Sequence, residues 1–298
     1  MNVLLHLILC VLYSLHHRWH QELGLWTAAA TLCDDARMTP VTESIYRTEG
    51  DRIIPSQSIS GPWDPSLQHG AGPAALIAWA AERVPTAVPM QVVRLTIDLL
   101  RPVPIVPLEI DTTVVREGKK IQVCAIRLLS NGIEVVRATV LKIRIREVEL
   151  PSIEGEPLDL PLPESGSEPS WAAEPQSGFL RGVSLREVKG GFRDLGPAAI
   201  WFRVNWPMID GAPPSPLMRA AMTADFGNGT SCVLDFRKWT FINGDLTVSL
   251  SRLPSGDWIM LDAQTSLGPA GSAIMRGRLA DRNGYFGVAM QSIVIEPR

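Results

Sequence analysis

The sequence predicts an α+β fold of two tandem units, each a buried helix wrapped by an antiparallel sheet. Three observations carry that expectation. Leu95-Thr96-Ile97-Asp98-Leu99-Leu100-Arg101 returns 151 residues later as Leu246-Thr247-Val248-Ser249-Leu250-Ser251-Arg252, and Ser130-Asn131-Gly132 returns at a spacing of 152 as Arg282-Asn283-Gly284. Anchors that keep their separation to within one residue indicate a duplicated unit. In each copy a short apolar segment opened by proline precedes a series of strand-like runs separated by turns. A proline-rich stretch divides the two.

Taken in order, residues 1–37 form a leader unlike the rest, carrying four of the five histidines. Its apolar run Val3 to Leu15 is too short to span a bilayer, and no Lys or Arg precedes it. The reading preferred here makes Met38 the natural start, with the leader disordered or a start-site artefact; the rival is a cleaved export signal. The first unit is expected over 38–147. Tyr46 to Ser60 reads as an entry strand. Pro73 suits a first helical turn, and Ala74-Ala75-Leu76-Ile77-Ala78-Trp79-Ala80-Ala81 is apolar on every side, as in a helix buried all round. Strands are expected at Val92–Arg101, Leu108–Arg116, Ile121–Leu129 and Glu134–Arg146. A Pro, Glu and Ser-rich linker covers 148–178. The second unit, 179–298, offers a strand near Trp201–Met208 and a helix near Pro216–Ala224. Further strands are expected at Cys232–Asp235, Leu246–Arg252, Trp258–Ser266, Gly271–Ala280 and Phe286–Ile295.

Composition narrows the function classes. A formal net charge of −3 argues against a nucleic-acid surface. The four cysteines form no CxxC pair, and Cys124 and Cys232 sit in apolar runs where buried free thiols are expected. These features indicate a reducing, cytoplasmic setting with no membrane span, no structural metal and no cofactor.

Tandem units of this kind resemble the double hotdog fold of the acyl-CoA thioesterase II family and its thioesterase-like relatives. The resembling stretches are Gly61-Pro62-Trp63-Asp64-Pro65-Ser66-Leu67-Gln68-His69-Gly70, Ala224-Asp225-Phe226, Phe241-Ile242-Asn243-Gly244-Asp245-Leu246-Thr247 and Ala289-Met290-Gln291. The resemblance implies hydrolysis of acyl-CoA or a similar acyl thioester. In such proteins an Asp ending the second helix, a Thr or Ser on the next strand and a Gln on the last strand hold the hydrolytic water. Carried over, these are Asp225, Asn243 and Gln291, the middle one departing from the pattern. Thr247 lies four residues beyond Asn243, an even offset that keeps it on the same strand face about 13 Å further along.

Asp225 as general base would contribute about 10²–10⁴-fold in rate. The oxyanion needs backbone donors, and the glycine-rich helix start at His69-Gly70-Ala71-Gly72 supplies them, which makes His69, Gly70 and Gly72 the candidate substrate-binding residues. Bland alternatives stand beside each assignment. Asp225 can be a solvated residue where the helix gives way to Phe226-Gly227-Asn228-Gly229, Asn243 a turn residue before Gly244, and Gln291 a strand-pairing amide. Counting from the two Asn-Gly turns, Gln291 falls opposite Thr139 of the first copy. Two rival functions also remain. One is a non-catalytic acyl-thioester-binding protein, favoured by Asn243; the other is an enoyl-CoA hydratase using Asp64 and His69, five residues apart. No GxSxG elbow occurs. A homodimer is compatible with the fold.

Overall fold

The computed structural model describes residues 43–149, 151, 156–173, 176 and 178–298. The leader, with Cys10, Cys33 and the start at Met38, lies outside the described residues, as does part of the linker. The first half runs β1 (Tyr46–Glu49), β2 (Arg52–Pro55), α1 (Ala71–Arg83), β3 (Met90–Leu99), β4 (Leu108–Arg116), β5 (Ile121–Ser130) and β6 (Ile133–Arg144). The second runs β7 (Val183–Lys189), β8 (Ala198–Val204), α2 (Pro216–Asp225), α3 (Gly227–Thr230), β9 (Trp239–Asn243), β10 (Asp245–Leu250), β11 (Ile259–Leu267), β12 (Ser272–Asp281) and β13 (Gly284–Pro297).

All strands join one antiparallel sheet in the order β1-β2-β4-β5-β6-β3-β10-β13-β12-β11-β8-β7, with β9 on the far part of β13. The halves meet where the repeat meets itself. β3 pairs with β10 so that Thr96 faces Thr247, Leu95 faces Val248 and Ile97 faces Leu246, which places a pseudo-twofold at the threonine pair. Period-two patterning sets the faces: Leu246, Val248 and Leu250 of β10 are buried, as are Val136, Ala138 and Val140 of β6. Both helices pack against each other and against the inner face. Ten of the thirteen residues of α1 are buried, so it has apolar side chains all round. The tandem hotdog architecture is present.

Several local expectations change. The entry strand Tyr46 to Ser60 is a hairpin, broken by the polar turn Glu49-Gly50-Asp51. Cys232–Asp235 is a loop, while β7 and β9 add strands that the pattern did not announce. β8 is buried nearly throughout because the linker covers its outer side: Leu158 and Leu160 pack on Ala199, Trp201, Met260 and Ala280, and Trp201 Nε1 donates to the Pro161 carbonyl at 2.9 Å. Among the described residues no helix is long and apolar enough to cross a membrane. Cys124 is buried and Cys232 half-buried, both as free thiols.

The spacing of 152 at the second anchor is a difference of turn type. Ser130 pairs with Ile133 around Asn131-Gly132, both at positive φ (50° and 74°), as a type I′ hairpin requires. Asp281 pairs with Gly284 around Arg282-Asn283, and only Gly284 has positive φ. A turn of that kind needs its glycine one residue later. The strands themselves keep the spacing of 151: Thr139 faces Thr96, and Met290 faces Thr247. The counterpart of Gln291 is therefore the buried Val140, not the exposed Thr139.

Candidate active site

Helix α2 starts cleanly. Ser215 accepts from the Met218 amide at 3.1 Å as N-cap, and Pro216 takes the first helical position. It ends at Asp225, whose residue is 6% exposed. The Asp225 carboxylate stands against the start of α1. A Cβ on Gly70 would lie 2.4 Å from Oδ1 and 2.8 Å from Oδ2, so only glycine leaves room for this contact. The C-terminal end of α2 disfavours an anion, whereas the N-terminal end of α1 favours one. The charge is thus carried by one helix and compensated by the other.

Two side chains complete the carboxylate's surroundings. Asn243 Nδ2 donates to Oδ1 at 3.3 Å, and His69 Nδ1 stands 3.2 Å from Oδ2. The Ala71 amide donates to the same imidazole nitrogen at 3.1 Å. Nδ1 thus lies between a main-chain amide and a carboxylate oxygen. The ring is wedged between Phe179 and Phe226, with centroids at 5.3 and 4.9 Å. His69 and Gly70 come from the first half of the chain, Asp225 and Asn243 from the second.

Gln291 approaches from behind. Its Nε2 donates to the Asp225 main-chain carbonyl at 3.1 Å, and its Oε1 accepts from the Asn228 amide at 2.9 Å. These bonds join the end of α2 to the start of α3 and fix where Asp225 leaves the helix. The amide does not touch the carboxylate itself. Four of the expected site residues therefore converge directly (Asp225, Asn243, His69, Gly70), and Gln291 supports them.

Residues 59–143 match the acyl-CoA thioesterase N-terminal domain, and residues 159–295 match the acyl-CoA thioesterase C-terminal domain. The chain belongs to the acyl-CoA thioesterase family. It is a thioester hydrolase. Its fold is similar to an acyl-CoA thioesterase II from Mycobacterium marinum (16% identity, TM-score 0.60, covering 85% of this chain and 94% of that one). It is also similar to a tesB protein of Mycobacterium avium subspecies paratuberculosis (17%, 0.60, 85% and 96%) and to a hot dog protein from Alicyclobacillus acidocaldarius (17%, 0.67, 86% and 97%). At such identities the likeness concerns the fold. No curated protein sequence matches the chain.

Other expected residues of this acyl-CoA thioesterase stand elsewhere. The Gly72 amide donates to the His69 carbonyl, and its missing side chain admits the Tyr46 hydroxyl and Ile59, so its contribution is packing. Thr247 is on the opposite face from Asn243. β9 and β10 form one run along β13, but Asn243 faces Ile293 while Thr247 faces Met290, so one extra residue sits between them. That bulge at Gly244 reverses the alternation. Asp64 turns its carboxylate onto the Ser66 amide and hydroxyl, and His69 takes Asp225 as neighbour instead, so the hydratase pair is not assembled.

Two contributors carried no sequence signal. Asn228, in the stretch where α2 gives way, bonds Gln291 and sends Nδ2 to the Phe241 carbonyl at 3.2 Å. Tyr46 donates to Gln68 Oε1 at 2.6 Å, and Gln68 donates to the Pro104 carbonyl, which ties down the loop leading into His69. Burial pushes the Tyr46 phenol well above its ordinary range, so it stays a donor. Both interactions join positions far apart in sequence.

Proposed function

We propose that this thioesterase hydrolyses acyl-CoA by Asp225-activated water. The water oxygen attacks the thioester carbonyl carbon while its proton passes to the Asp225 carboxylate. The oxyanion that forms accepts from the main-chain amide of Gly70 at the start of α1, where the helix dipole favours negative charge. The carbon–sulfur bond then breaks, and the departing thiolate recovers the proton from Asp225. Water and thioester become free acid and thiol.

One observation carries this reading: a buried carboxylate ends one helix, lies against the amide-bearing start of the other, and is gripped by Asn243 and approached by His69. Asn243 holds the carboxylate in one orientation and presents its own carbonyl oxygen toward a water. Gln291 acts as a positioning residue through the α2–α3 junction. The test is Asp225→Asn, which preserves shape and removes the base. Thiol release from acyl-CoAs of several chain lengths should fall by about 10²–10⁴-fold, with an unchanged circular-dichroism spectrum. A variant as active as the parent removes Asp225 from the mechanism. A parent protein that binds acyl-CoA without releasing thiol at any chain length overturns hydrolysis in favour of a binding role.

A further inference from the structure

The loop ahead of His69 and the loop ahead of β9 meet in an aromatic cluster edged with cations. Trp63 stacks on Phe236 with centroids 4.7 Å apart and 27° between planes, and it meets Phe241 edge-on at 5.3 Å. The Arg298 guanidinium lies 4.4 Å from the Phe236 centroid and 5.3 Å from that of Trp63. Arg298 is tied to the same loop by its amide, which donates to the Lys238 carbonyl at 3.0 Å. Arg237 is anchored on Asp235 at 3.2 Å, yet its side chain is 88% exposed, and Lys238 is exposed beside it. Phe236 is 40% exposed.

The proposed reaction makes no use of this cluster, but Phe241 joins the cluster to the site along β9. Phe241 and Asn243 are two residues apart on β9 and face the same side. The Trp63 ring is therefore about 12 Å from Asn243, from two strand steps and one ring contact. That separation is within the reach of a pantetheine arm with its sulfur at Asp225. An exposed aromatic face with a guanidinium against it suits a purine base, and three cations, of which Arg237 alone is paired with a carboxylate among the described residues, suit phosphates.

We infer that Trp63, Phe236 and Arg298, with Arg237 and Lys238, form the subsite for the phosphorylated adenosine end of the thiol carrier. The inference rests on the thioesterase reading for its carrier, and it assigns this protein to nucleotide-bearing thioesters in preference to pantetheine linked to a carrier protein. The adenine packs on Phe236 and Arg298, and the phosphates take Arg237 and Lys238. No covalent step occurs there.

The experiment uses the full chain and two measurements. The first is calorimetric binding of adenosine 3′,5′-bisphosphate, the nucleotide fragment of coenzyme A, to the parent, to Phe236→Ala and to Arg237→Gln/Lys238→Gln. The second compares kcat/KM for an acyl-CoA and for the N-acetylcysteamine thioester of the same acid. Each variant should weaken bisphosphate binding about tenfold or more and lower kcat/KM for acyl-CoA to a similar degree through KM. The truncated thioester, which cannot reach the cluster, should be hydrolysed at the parental rate. Equal losses on both thioesters, or bisphosphate binding that is absent or unaffected by the substitutions, overturn the subsite. Retained bisphosphate binding that the variants weaken, in a protein that cleaves neither thioester, supports the subsite while refuting hydrolysis.

Discussion

Replacing Gly70 by alanine isolates the contact on which the proposed chemistry depends. The Gly70 backbone is right-handed helical (φ −56°, ψ −26°), so alanine fits the main chain without strain. The new Cβ, however, would stand 2.4 Å from Asp225 Oδ1, 2.8 Å from Oδ2 and 2.9 Å from Cγ, where ordinary contact begins at 3.4 Å. The carboxylate must retreat by about 1 Å, away from the α1 amides and out of register with Asn243. A misplacement of that size costs about 10²-fold in a positioned reaction. Overpacking destabilises by about 1–3 kcal/mol, and alanine returns about 0.4–1 kcal/mol by restricting the unfolded chain, so the fold should survive. The assay is thiol release under kcat/KM conditions beside a urea midpoint. Adding Gly70→Ala to Asp225→Ala should be neutral or slightly stabilising, because the clash has gone; that non-additivity identifies the carboxylate as the partner. A Gly70→Ala enzyme within threefold of the parent would refute the reasoning.

The same geometry predicts graded effects at neighbouring positions. Asn243→Ala, which removes the 3.3 Å bond to Oδ1, should lower kcat about tenfold, or about 1.4 kcal/mol, with an unchanged urea midpoint; parental kcat would make Asn243 a turn residue only. Gln291→Leu should destabilise by about 1–3 kcal/mol, since it strands the half-buried Asn228 amide and the buried Asp225 carbonyl, and a variant of parental stability refutes the junction role. Lys142, 3% exposed, donates to the Val84 carbonyl at 2.7 Å, and burial pushes its ammonium below the ordinary lysine range, against smaller opposing pulls from Cys124, Glu117 and Glu82. Between its folded pKa and the unfolded value of 10.5, the unfolded chain binds more protons, so this lysine's contribution to stability rises with pH through that window. The stability of the parent relative to Lys142→Met, from urea midpoints at neutral pH and near pH 10, should therefore increase in alkali; a gap that shrinks contradicts the sign.

Much of the fold is legible in the sequence because the strands of each copy alternate and the repeat fixes their order. Leu246, Val248 and Leu250 announce β10 as plainly as the all-apolar 74–81 stretch announces α1. What escaped obeys tertiary rather than local rules. β8 has no polar face because the linker lies across it, and the linker's prolines conceal that packing. The site was readable at Asp225, His69 and Gly70, which flank helix ends. It was misread at Thr247 and Thr139, each displaced by one residue. The period of a strand is two, so one bulge or one change of turn type moves a side chain to the other face, and single-residue shifts leave almost no trace in composition.

The pseudo-twofold that runs through Thr96 and Thr247 also explains why one end of the helix pair serves as a site on the proposed reading and the other does not. At the closed end, Ser215 caps α2 with its own hydroxyl, which donates in turn to Glu82 at 2.8 Å, while Lys142 and Gln122 satisfy the carbonyls of Val84 and Pro85 at the end of α1. Each helix end there has side-chain partners of its own. At the open end the cap position is Gly70, which brings no side chain, and the end of α2 is secured from behind by Gln291, where the first half has only Val140. The space that a serine would have filled holds the Asp225 carboxylate. Both copies faced the same physical demand, the orphan amides and carbonyls of a buried helix. Where a side chain of the chain itself meets the demand the interior is sealed; at the start of α1 the Ala71 and Gly72 amides turn to the His69 ring nitrogen and carbonyl, and on the proposed reading the Gly70 amide is the donor that a substrate's oxygen takes.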